Sequence, residues 1–117
     1  MTIEEAARAY DNLSREGQIR FLTLLSHYVT ISVRGCYDDR PQVVNSHSHS
    51  PVGCLNEIQH QISGILGVLL DNKPDPPSGI NFIHGLLVWA EYGGVASAII
   101  DDIVRSMRYV VQEWYQP

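Results

Sequence analysis

Glu57 and His60 stand three residues apart in the stretch Leu55–Leu70, LNEIQHQISGILGVLL. On a helix that spacing puts a carboxylate and an imidazole on one face. Carboxylate-bridged metal sites in helical bundles are built from such Glu-x-x-His pairs. His27, His84 and Glu91 are further donors, the last two seven residues apart on one helical face. A di-metal bundle also needs a second Glu-x-x-His and an inward Glu on each remaining helix. The chain supplies neither. Glu57 and His60 also turn away from the apolar stripe of their own helix, whereas a metal in a bundle core needs them inside. The expectation is no metal site and no cofactor.

Other chemistry is thinner. Ser, His and Asp are all present, but no nucleophile elbow and no Gly-rich phosphate loop appears. Cys36 beside a histidine would make a thiolate pair in principle; a buried, small, apolar thiol is the plainer reading. His47-Ser48-His49 falls in a polar stretch and reads as solvated. No catalytic residue is assigned, and we expect a protein that is not an enzyme.

The elements that would position these residues read as helices. Thr2-Ile3-Glu4-Glu5 has the form of a capping box, opening a short helix over about 3–11. Ser14 caps a second helix running to about Val33 or Cys36. Its core stripe is Ile19, Leu22, Leu25, Val29 and Val33, widened by Phe21 and Tyr28. Arg20, His27 and Arg34, spaced by seven, line its other side. Leu24 and Ile31, also seven apart, make a second apolar line that one core does not need.

Residues 37–53 carry no helical period and read as one long loop. A third helix covers about 52–71, with Leu55, Ile58, Ile62, Ile65, Leu66 and Leu69 as its stripe. Glu57, His60, Gly64 and Gly67 fall opposite. Each helical Gly costs roughly 1 kcal/mol relative to Ala, so two on one face suggest close approach of another backbone. Residues 72–79 hold three Pro and break the helix. Ser78 caps a fourth helix over 79–92, ended by Gly93-Gly94. It is apolar nearly all round and should be buried on more than one side.

The fifth helix, about 95–114, turns Ile99, Ile100, Ile103, Met107, Val110, Val111 and Trp114 inward. Asp101, Asp102, Arg105, Arg108, Gln112 and Glu113 face out. The β-prone pieces Val29–Val33 and Tyr109–Val111 lie inside longer helical periods. The fold expected is all-α: a four-helix bundle with a short extra N-terminal helix and the long 37–53 loop, in a single domain over 1–117.

Composition agrees with a folded domain: 117 residues, 44% hydrophobic and 18% charged. The formal net charge of −5 disfavours nucleic acid, which needs a basic stripe. The acidic opening lacks the apolar core of a signal peptide. The longest apolar run, Ile62–Leu70, is far shorter than the ~20 residues that cross a bilayer. We therefore expect a soluble, cytoplasmic protein in which Cys36 and Cys54 are thiols rather than a disulfide.

Two pieces carry a resemblance. Leu22–Tyr28 (LTLLSHY) lies in a helix with Phe21, Leu22, Leu25, His27, Thr30, Arg34 and Tyr37, and Asn56–His60 (NEIQH) follows after the loop. Together they resemble a set of small uncharacterised bacterial all-helical proteins with an Asn-Glu-x-Gln-His helix. The resemblance covers about half of the chain. It implies a bacterial cytosolic helical domain and carries over no activity.

The function expected is protein–protein association without enzymatic activity, through a homodimer or a protein partner and not through a membrane. Arg20, His27, Arg34, Glu57 and His60 are the candidate binding residues. Leu24, Ile31, Gly64 and Gly67 are the candidate interface, with the two-sided fourth helix also surplus to one core. The alternative is a metal-binding or enzymatic bundle with a polar site around His27, Glu57 and His60.

Overall fold

The computed structural model describes residues 2–39 and 51–115, with side chains over 2–32 and 51–112. Five helices follow one another: α1 (Ile3–Asn12), α2 (Arg15–Asp39), α3 (Pro51–Leu70), α4 (Gly79–Tyr92) and α5 (Ala96–Tyr115). No strand occurs among the described residues. The all-α expectation holds, as a four-helix bundle of α2–α5 with α1 added. α2 packs against α3 and α5, α3 against α4, and α4 against α5, while α1 lies against α4, α5 and α2. No helix among the described residues is long and apolar enough to cross a membrane.

Local chemistry starts and stops these helices. Glu5 N donates to Thr2 Oγ1 at 3.2 Å, and Thr2 N donates back to the Glu5 carboxylate at 3.3 Å. These bonds close the capping box, and hydrogen bonding of the carboxylate to the Thr2 side chain and backbone N–H holds the Glu5 carboxyl below its ordinary value. Ser14 Oγ accepts from Gly17 N at 3.2 Å and opens α2. Ser78 Oγ accepts from Asn81 N at 3.4 Å and opens α4. Gly94, at φ +72°, takes the left-handed turn after α4 that side chains resist.

Both helices reach into the stretch read as the 37–53 loop. α2 continues to Asp39, and α3 begins at Pro51. Tyr37-Asp38-Asp39 contains no breaker. The first obstacle is Pro41, which disfavours helical backbone at Arg40 before it. Pro51, with its fixed φ and missing N–H, suits the first turn of α3. Residues 40–50, His47-Ser48-His49 among them, lie outside the described residues.

The core is centred on three rings. Tyr10 of α1 meets Phe21 of α2 at 5.5 Å between centroids and Phe82 of α4 at 4.8 Å, both edge to face. Such pairs are worth ~0.5–1.5 kcal/mol beyond area burial. Around them Leu22, Leu25 and Val29 of α2 are buried, as expected, with Leu55, Ile58, Ile62, Ile65 and Leu69 of α3. Ile19 and Leu66 pack from the flanks. The Val33, Cys36 and Trp114 side chains lie outside the described residues.

Two helices differ from expectation. On α5, Ile100 is exposed, whereas Asp102 is only 8% exposed. The buried line runs Ile99, Asp102, Ile103, Ser106, Met107, Val110, at helical steps that place Asp102 inside despite its charge. On α4, burial is one-sided. Phe82, Ile83, Leu86 and Ala90 are buried and Trp89 packs against the core edge, but Ile80, Val88 and Tyr92 are exposed. None of the described residues covers the other side of α4 at Ile80, Val88 and Tyr92.

Asp102 accepts from Ser32 Oγ at 3.4 Å, and Arg105 lies with its guanidinium 5.5 Å over the Tyr28 ring. Burial pushes the Asp102 carboxyl up, against the lowering effects of Arg105 and Ser32. A carboxyl raised in the folded state binds protons more tightly there than in the unfolded chain. Stability therefore falls as pH rises from the ordinary carboxylate range through the raised value, and the full penalty remains at pH 7. Asp102→Asn should raise the melting temperature at pH 7, by about 1 kcal/mol or less in stability. The gain should shrink as pH falls toward 4, which paired thermal melts across pH would show. A destabilised variant at pH 7 would mean that the ionised carboxylate holds the helices together.

Candidate functional site

The residues singled out from spacing end up on two outward faces rather than at one centre. Arg20 reaches toward α5, with its guanidinium 6.0 Å over the Tyr109 ring. His27 is exposed beside the Tyr28 ring, at 6.3 Å between centroids. The Arg34 side chain lies outside the described residues. Glu57 and His60 are exposed on α3. Among the described residues no group of three or more His, Cys, Asp and Glu comes together to hold a metal. Leu24 packs against the core, whereas Ile31 is 54% exposed. A Cβ on Gly64 or Gly67 would meet nothing within 4 Å, so no described backbone approaches them closely.

Between the two faces lies a polar clasp that spacing did not suggest. Gln59, flanked in sequence by the motif residues, turns toward α2. Ser26 Oγ donates to Gln59 Oε1 at 2.8 Å, and Gln59 Nε2 donates to the Ser26 carbonyl at 2.7 Å and to Thr30 Oγ1. Thr30 Oγ1 donates in turn to the Ser26 carbonyl at 2.9 Å. Ser26 and Thr30 are four apart on α2, the one sequence signal for the clasp. The Gln in the Asn-Glu-Ile-Gln-His run thus ties α3 to α2.

Cys54 is buried, and that burial, with Glu57 nearby, pushes its pKa up. A nucleophilic cysteine needs the opposite shift.

The clearest built surface lies elsewhere, between α1 and α4. Gly79 N donates to Asp11 Oδ1 at 2.7 Å. A Cβ at Gly79 would come within 2.6 Å of the Ala7 carbonyl oxygen, so the two helices meet closely there. Above that contact opens a groove of about 350 Å³, lined by Ile3, Glu4, Ala7 and Arg8 of α1 and by Ile80, Ile83, His84 and Leu87 of α4. A second, separate depression on α4 is lined by Val88, Glu91 and Tyr92. Ile80 is 57% exposed and Tyr92 61%.

A larger depression, about 570 Å³, lies over Asp101, Arg105, Arg108 and Gln112. Every described residue lining it belongs to α5. The sequence marked the fourth helix as surplus to one core but did not say which of its sides, because an apolar residue reads alike inside a core or at a contact. Its signal was the excess itself, more apolar positions on the helix than one interior needs. No family model matches the chain, and no curated protein and no solved structure matches it either.

Proposed function

We propose that this protein acts without enzymatic chemistry, by protein–protein association with itself or with a partner, through the outward face of α1 and α4. The carrying observation is that α4 leaves Ile80, Val88 and Tyr92 exposed, Ile80 in the groove shared with α1 and Val88 and Tyr92 in a second depression. Single exposed hydrophobes are ordinary, but a contiguous apolar surface rimmed by polar groups marks a contact site. The rim here is Glu4, Arg8, His84 and Glu91. Helix-in-groove recognition uses such anchors at helical spacing. α2 and α3 support the reading less well, because among the described residues each exposes one large hydrophobe, Ile31 and Leu70, against three on α4. The cysteine usage and the resemblance support a place in the bacterial cytoplasm.

A photo-crosslinking amino acid at position 80 or 88 tests the proposal in cells. Adducts to a polypeptide, this chain or another, are expected from both positions. None is expected from position 73, in the α3–α4 connection. Adducts from position 31 with none from 80 or 88 would move the contact to the other face and overturn the reading.

A further inference from the structure

We draw no further inference here: the strongest candidate, the groove between α1 and α4 with Ile80 exposed in it, carries nothing beyond the association reading above, because nothing in the structure shows what covers it.

Discussion

Phe21→Ala is expected to cost ~3–5 kcal/mol, the range for an aromatic ring deleted from a packed core. The ring is fully buried and edge-on to Tyr10, which is edge-on to Phe82. It is the α2 member of a cluster that joins three helices, so the cavity it leaves cannot be closed by one side-chain movement. A typical domain has only ~5–15 kcal/mol in hand, so the loss would bring the chain close to unfolding. Urea melts at constant slope give the value directly. A loss below about 1 kcal/mol would mean that Phe21 is not at the centre of the fold.

Gly79→Ala is expected to be the second costly change, about 2 kcal/mol. Two effects compete. Alanine favours helix over glycine by up to ~1 kcal/mol. Against that, the new Cβ would meet the Ala7 carbonyl oxygen at 2.6 Å, with Tyr10 Cδ1 at 3.0 Å and Asp11 Oδ1 at 3.2 Å. The nearest of these is backbone and cannot rotate away, and overpacking of this kind costs ~1–3 kcal/mol or more. The steric effect should win, and α1 should shift off α4, weakening the bond from Gly79 N to Asp11. Amide exchange is the readout: protection should fall throughout α1 while α2 and α3 keep theirs. A stabilised variant with α1 fully protected would show that the helices have more room than this geometry allows.

The parts of the fold readable in the sequence are those decided within a few residues. Thr2 with Glu5, Ser78, the three-Pro break and Gly93-Gly94 each satisfy or deny backbone hydrogen bonds locally, and the structure has helix ends at or beside each. Stripe positions on α2 and α3 were readable for a similar reason, since a 3.6-residue period is a property of one helix. What depends on two helices was not. The Ser26–Gln59–Thr30 clasp exists only once α3 sits in register on α2. Asp102 was assigned outward by its charge, although its spacing from Ile99 and Ser106 placed it inside. On α4, Ile80 and Leu87 have the same residue types and period as core positions. Only the arrangement of α1 decides that Ile83 is covered and Ile80 is left outside.

The central claim, that association runs through α1 and α4, is tested most directly by isoleucine δ-methyl NMR spectra recorded over a series of protein concentrations. Ile80 and Ile3 border the proposed contact, Ile31 marks the α2 ridge, and Ile62 is fully buried in the core as an internal reference. The account predicts that the Ile80 and Ile3 methyl signals shift or broaden as concentration rises, while Ile31 and Ile62 hold still. Movement of Ile31 with Ile80 silent would contradict it and put the contact on the face of α2 and α3.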